Sequence, residues 1–167
     1  MNKNLPLVFL SLGSNQGDMH IALHNAITAI NALTDTCVTL TSPMYKTEPW
    51  GVTEQPHFLN MVCGITTLLT PQQLLQQLQR IEQQHGRVRT ATNRWQQRTL
   101  DIDILLFDST VINSETLVIP HPHMHLRKFV LVPLNDIAPL AVHPLLTTTI
   151  AQLLVDCKDS SWVVLNQ

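Results

Sequence analysis

The chain has 167 residues, ten Lys and Arg against twelve Asp and Glu, a formal net charge of −2, and 44% hydrophobic residues. That size suits one domain spanning residues 1–167, and the composition excludes a disordered or low-complexity chain. The near balance of charge offers no general field for nucleic acid or anionic lipid, so any anion site must be built locally.

In chain order, the apolar run Leu5 to Leu12 closed by Gly13-Ser14-Asn15 predicts a buried first strand ending in a turn. Asp18 suits the N-cap of a helix over about Met19 to Leu33, with Leu23, Ala26, Ile27, Ile30 and Leu33 along one face. Val38, Leu40 and Tyr45 mark a β-rich stretch and Phe58 to Leu69 a second. Between them, Thr47 to His57 carries Pro49, Gly51 and Pro56, and its length suits a substrate loop better than a hairpin connection. Thr70, Pro71 and Gln73 then spell a capped helix start and Gly86 its end. Leu74, Leu75, Leu78 and Ile81 form the core stripe, and Glu82 on its margin needs a partner.

Arg87, Arg89, Arg94 and Arg98, with Trp95 among them, make a basic loop without an apolar face. After it Leu100, Ile102, Ile104 and Leu106 alternate, which predicts a strand with Asp101 and Asp103 on the opposite face. A short strand over Leu117 to Ile119, a helix over Arg127 to Asp136 interrupted by Pro133, a helix over Thr149 to Asp156, and a strand near Trp162 to Leu165 complete the chain. The order βαββαβ with extra short C-terminal elements predicts an α+β, ferredoxin-like antiparallel sheet with helices on one face.

Cys37, Cys63 and Cys157 are odd in number, scattered and free of CxxC spacing, so reduced, buried thiols are expected. Lys3 is followed by no long apolar h-region, and no run approaches the ~20 apolar residues that cross a bilayer, so a cytoplasmic protein without membrane contact is expected.

Chemistry concentrates at Asp101 and Asp103. Two carboxylates on one strand face repel unless something sits between them. Mg²⁺, which takes one or two carboxylates, waters and phosphate oxygens, resolves the conflict; the alternative is a solvent-facing edge with each Asp paired to an Arg. Guanidinium groups grip phosphate oxygens bidentately, and an indole stacks on a flat heterocycle. Acid for metal beside base for phosphate is the charge layout of phosphoryl transfer. Gly13 to Asp18 resembles a phosphate cradle only superficially, since it lacks the GK[ST] ending of a P-loop; a structural turn and cap is the simpler reading. His121, His123 and His125 alternate, so an extended chain would present three imidazoles on one side for zinc or nickel, or one of them for a phosphate.

At this point the chain resembles the 6-hydroxymethyl-7,8-dihydropterin pyrophosphokinases of folate biosynthesis. The resemblance rests on Gly13-Ser14-Asn15, Tyr45 to Pro49, Gln55-Pro56 with Phe58-Leu59-Asn60, and Arg80-Ile81-Glu82 with Gly86 to Arg89. It rests above all on Arg98 to Leu105, and it extends through Pro120-His121-Pro122, Arg127, Phe129 and Pro133-Leu134. It implies a single domain that passes the diphosphate of ATP to a reduced pterin, with two Mg²⁺ ions on Asp101 and Asp103. Arg87, Arg98, His121 and Arg127 would contact the phosphates, and Gln79, Arg89, Trp95 and Ile104 would lie by the nucleotide. Phe58 and Phe129 would sandwich the pterin, Trp95 would close on it, and Asn60 with Thr47, Pro49 and Trp50 would read its polar edge. Loops near Asn15, Trp50 and Trp95 would close over the substrates. The chain departs from the family pattern at Gln96-Gln97, where Gly or Ala and then Pro are usual, at Thr116 and Val118, and at Phe58, where Tyr is common. A monomer is expected. Two rivals carry different signatures: a Mg²⁺-dependent kinase or nucleotidyltransferase for another alcohol need not keep Phe58, Asn60 and Phe129. An RNA-binding ferredoxin-like module would want an aromatic platform that four Phe and one Tyr scarcely supply.

Overall fold

The computed structural model describes residues 5–49, 56–86 and 99–167. Among them the elements run β1 (Leu7–Ser14), α1 (Met19–Asn31), β2 (Thr36–Thr41), β3 (Tyr45–Thr47), β4 (Phe58–Thr67), α2 (Pro71–Gln84) and β5 (Asp101–Phe107). There follow β6 (Ile112–Asn113), β7 (Val118–Ile119), a 3-10 turn (Met124–Leu126), α3 (Lys128–Ile137), β8 (Val142–His143), β9 (Thr148–Thr149), α4 (Ile150–Asp156) and β10 (Val163–Leu165). The main sheet has the order β10-β3-β4-β1-β5, and β2 also pairs with β4; every pairing is antiparallel. β6–β7 and β8–β9 form two small ladders of their own.

The helix signals act as their chemistry dictates. Asp18 accepts the Ile21 N–H at 3.0 Å, which starts α1. Thr70 and Gln73 exchange reciprocal capping bonds at the start of α2. Gly86, with φ of +84°, stands just past the end of α2, in the left-handed region that glycine enters without cost. β1 runs further than its composition suggested, because Gly13 and Ser14 stay paired with Asn60 and Leu59 instead of turning.

Two cores sandwich the sheet. Leu10, Leu12, Leu59, Met61, Ile65, Ile102 and Ile104 pack against Leu23, Ala26 and Ile30 of α1 and Leu74, Leu78 and Ile81 of α2. On the other face Phe9, Val62, Leu105 and Leu106 meet Met124, Val130, Leu131 and Leu134 around α3, and Ile150 and Leu153 of α4. The expectation of helices on one face therefore holds for α1 and α2 alone. A sheet whose strands are apolar on both sides needs cover on both, and the short C-terminal helices provide it.

The alternation expected of β5 also breaks once. Leu10 pairs with Ile104 and Phe9 with Leu106, so Leu105 is an extra residue in a bulge. Beyond that point the faces swap: Leu106 lies in the second core and Phe107 in the first. Asp101 and Asp103 precede the bulge and keep their common face. Of the cysteines, Cys63 is buried, its thiol pushed up to about 12 by burial, while Cys157 is half-buried and Cys37, against expectation, is exposed.

Candidate functional site

The face that carries α3 also carries the chemistry. Residues directly opposite one another on paired strands share a face, and Asp101 stands opposite Gly13, which stands opposite Asn60, which stands opposite Tyr45. Asp103 lies opposite Ser11, one rung further along the same face. Both aspartates are half-buried, whereas Ile102 and Ile104 between and beyond them are buried in the first core. The strand is anchored from α2: the buried carboxylate of Glu82 accepts the Ile102 N–H at 2.8 Å. This is the partner that Glu82 required.

The His121 N–H donates to the Leu105 carbonyl at 2.9 Å, which lays the segment after β7 along the outer edge of β5. Its Nδ1 accepts the His123 N–H at 3.2 Å, so the neutral ring carries its proton on Nε2. Nε2 lies 3.8 Å from Oδ2 of Asp103. Burial, then the Arg127 guanidinium and His123, push the His121 pKa down to about 4, while the Asp101 charge acts the other way. The imidazole is therefore neutral at physiological pH and presents a hydrogen-bond donor on the aspartate side. Arg127, at the head of α3, holds its guanidinium carbon 5.8 Å from the centroid of the Phe129 ring.

Towards β3 the same face changes character. Asn60 is buried, and its Nδ2 donates to Oγ1 of buried Thr47 at 2.7 Å. Phe58 on β4 and Phe129 on α3 are half-buried, and α3 packs on β4. The Tyr45 hydroxyl donates to Oδ2 of Asp136 at 2.6 Å, tying β3 to α3 and thereby fixing the helix that carries Phe129. Burial and Asp136 raise the Tyr45 pKa to about 12, so it remains a donor. This strut escaped the sequence reading, since its ends lie 91 residues apart with no local signal. Pro49 follows β3, half-buried.

Other expected residues lie elsewhere. Gln79 sits half-buried on α2, in the opposite layer. The Ile104 side chain is buried in the first core; like Ile102, whose N–H points away from β1 to Glu82, it directs its peptide group to the outer edge of β5. Any nucleotide contact of Ile104 would use that peptide. The three histidines do not share a side: His121 and His123 approach edge to face at 6.1 Å, but the 3-10 turn sends His125 to His143, also at 6.1 Å. The one-sided row of three imidazoles expected for zinc or nickel is therefore not formed, and among the described residues no group of three or more His, Cys, Asp or Glu side chains could hold a metal. Trp50, Arg87, Arg89, Arg94, Trp95 and Arg98 lie outside the described residues. Also among the described residues, no helix is long and apolar enough to cross a membrane.

A half-buried carboxylate pair flanked by a neutral imidazole and a guanidinium, on one sheet face with two aromatic rings and a fixed carboxamide, can hold a cation-bound anionic group at one end and a flat, polar-edged ring at the other. Comparison with known proteins points the same way. A family model described as 7,8-dihydro-6-hydroxymethylpterin-pyrophosphokinase (HPPK) matches residues 9–139. A Haemophilus influenzae protein named 2-amino-4-hydroxy-6-hydroxymethyldihydropteridine pyrophosphokinase is 44% identical over 158 residues, 95% of this chain and 97% of its own length. A Pseudomonas aeruginosa protein of the same name is 43% identical over 132 residues, 79% of this chain and 80% of its own. The crystal structure of a Plasmodium falciparum HPPK-DHPS variant with SDX-DHP superposes with a TM-score of 0.76 at 17% identity, over 92% of this chain and 45% of that one. The chain thus spans less than half of that solved protein, and at such identity the likeness concerns the fold.

Proposed function

The chain belongs to the 7,8-dihydro-6-hydroxymethylpterin-pyrophosphokinase family, and on that footing we propose that it transfers the diphosphate of ATP to the hydroxymethyl group of 6-hydroxymethyl-7,8-dihydropterin. The products are AMP and the pterin diphosphate, an intermediate of folate biosynthesis. The observation that supports this reading is the single rung Asn60–Gly13–Asp101, which puts a buried carboxamide and a half-buried carboxylate on one face, two strands apart. Neighbouring strands lie about 4.8 Å apart, so the two backbones are separated by roughly 10 Å, the reach of a substrate joined to a polyphosphate.

Phe58 and Phe129 stack on the pterin, while Asn60, Thr47, Pro49 and Trp50 face its polar edge. His121 and Arg127 hold phosphate oxygens, the first as a neutral donor and the second as a charge, together with Arg87 and Arg98. Arg89, Trp95 and the Ile104 peptide attend the nucleotide at the outer edge of β5, which Gln79 approaches from α2, the helix packed against that strand, and Trp95 also covers the pterin. Asp101 and Asp103 suit two Mg²⁺ ions: they are hard oxygen donors, only two in number, which leaves coordination places for phosphate oxygens and water. When bound there, such ions would supply charge neutralisation on the polyphosphate. The chain's own residues fix the hydroxymethyl oxygen in line with the β-phosphorus. A bond forms between those two atoms as the hydroxyl gives up its proton to water, the bond from that phosphorus to the α-phosphate oxygen breaks, and AMP leaves with the electron pair.

We read the strand order, with β2 and β3 taken as one interrupted strand, as a ferredoxin-like core extended by α3 and α4, and residues 1–167 as one pyrophosphokinase domain. The protein works in the cytoplasm as a monomer on these two small substrates, without nucleic acid or membrane. The test is the nucleotide product. With Mg·ATP and 6-hydroxymethyl-7,8-dihydropterin, AMP should appear in equal amount to pterin diphosphate; stoichiometric ADP would mean attack on the γ-phosphorus and an ordinary kinase.

A further inference from the structure

Glycine in the interior of a strand costs stability relative to alanine and packs nothing, so its presence there signals either a bend or a close approach. Gly13 is such a residue. It lies within β1, paired with Asn60 on one side and Asp101 on the other, and it is not among the residues of positive φ. Its backbone would accept any side chain. The space above it would not: a Cβ on Gly13 would lie 2.5 Å from Oδ1 of Asn60 and 4.0 Å from Cδ1 of Phe58.

Carbon and oxygen do not approach that closely, so one of them must move. The near atom is the end of a side chain and can swing away at little cost to the fold. Its orientation, however, is set on two sides. Nδ2 of Asn60 donates to Oγ1 of Thr47 at 2.7 Å, and Oδ1 rests over the bare Cα of Gly13. Thr47 and Asn60 are both buried.

We propose that Gly13 is a positioning residue for the pterin: by lacking a side chain it admits the Asn60 carboxamide over β1, and Thr47 then holds that group in the orientation that reads the ring's polar edge. The proposal rests on the assignment of Asn60 to the pterin. It separates two roles that a glycine in such a place could have, support of the strand and shaping of the ligand contact. In the second role an added methyl leaves stability alone and alters recognition.

Gly13→Ala, Asn60→Ala, Thr47→Val and the double variant Gly13→Ala/Asn60→Ala are titrated calorimetrically, first with a Mg²⁺-loaded non-hydrolysable ATP analogue, then with 6-hydroxymethyl-7,8-dihydropterin. Gly13→Ala should weaken pterin binding about tenfold or more, the loss of one well-placed polar contact, with nucleotide affinity within about twofold and an unchanged melting temperature. Thr47→Val, which releases the other end of the carboxamide, should weaken pterin binding to a similar degree, and it keeps the test alive should Gly13→Ala not fold. In the double variant the added methyl should cost nothing beyond Asn60→Ala. If Asn60→Ala itself leaves pterin binding intact, the assignment of Asn60 is wrong and the proposal goes with it. If Asn60→Ala weakens binding while Gly13→Ala or Thr47→Val does not, or if the methyl costs as much without the carboxamide as with it, the positioning role alone is overturned.

Discussion

Acidification offers a measurement on the phosphate side of the site. His121 takes up a proton near pH 4 in the folded chain and near 6.5 when unfolded, because burial, Arg127 and His123 disfavour its charged form. Its contribution to stability is therefore fully present above pH 6.5 and is lost as pH falls towards 4, where the unfolded chain binds a proton that the folded chain resists. At about 1.4 kcal/mol per pH unit, the gap amounts to about 3 kcal/mol. The side chain is only 17% exposed, so solvent screening leaves most of that figure in place. Metal-free wild type and His121→Asn, whose amide oxygen can still accept the His123 N–H, are unfolded in urea at pH 7 and pH 4. Other titrating groups contribute to both proteins and cancel in the difference. Wild type should lose about 2–3 kcal/mol more than the variant between the two pH values. Equal losses would show that His121 is not held neutral as the pH falls, and the Nδ1 acceptor for the His123 N–H would have to be abandoned.

Asp101→Asn and Asp103→Asn should each cut turnover by about 100-fold or more with the melting temperature unchanged or raised, and the double variant should be little worse than either single one, because both serve one metal–phosphate unit. Multiplicative losses in the product assay would separate their roles. Glu82→Ala leaves the buried Ile102 N–H without its acceptor and should cost about 1–3 kcal/mol in urea unfolding, with turnover falling as the start of β5 loosens. A cost below about 0.5 kcal/mol would mean that solvent replaces the carboxylate.

What the sequence made legible was local. The cap at Asp18, the capping box at Thr70 and the common face of Asp101 and Asp103 depend on residues within a turn or two of one another, where spacing alone fixes geometry. The aspartates survive as a pair because they precede the bulge at Leu105; Leu106, on the far side of it, was misplaced, since nothing in an unbroken apolar run marks which residue is extra. The cover of the second face by α3 and α4 was illegible for a related reason. Both helices are short and α3 contains Pro133, so their stripes are weak, and the need for cover becomes visible only when Phe9, Val62 and Leu105 are seen to share that face. His125 left the expected row because a 3-10 turn rotates it towards His143.

The two halves of the site meet through β1, which contributes no charged group to it. Asn60 and Asp101 belong to strands that never touch, and β1 between them sets their separation and their common face. A slip of one residue in either pairing would turn one of them into the α1–α2 core. The register is held from that core, by Leu10 and Leu12 of β1 meshing with Met61 and Cys63 of β4 and with Ile102 and Ile104 of β5. Glu82 adds a polar lock at Ile102, one residue from Asp101. Precision on the chemical face is thus imposed by apolar packing on the other, which is why substitutions in the first core that loosen these rungs should impair turnover as well as stability, even while the protein stays folded. Met61→Ala, buried directly beside Asn60, is the sharpest case: it should cost about 2–4 kcal/mol in urea unfolding and, at temperatures where the protein remains fully folded, still weaken pterin binding. Undiminished pterin affinity in that variant would show that the register does not depend on this packing and that hydrogen bonds alone suffice to hold it.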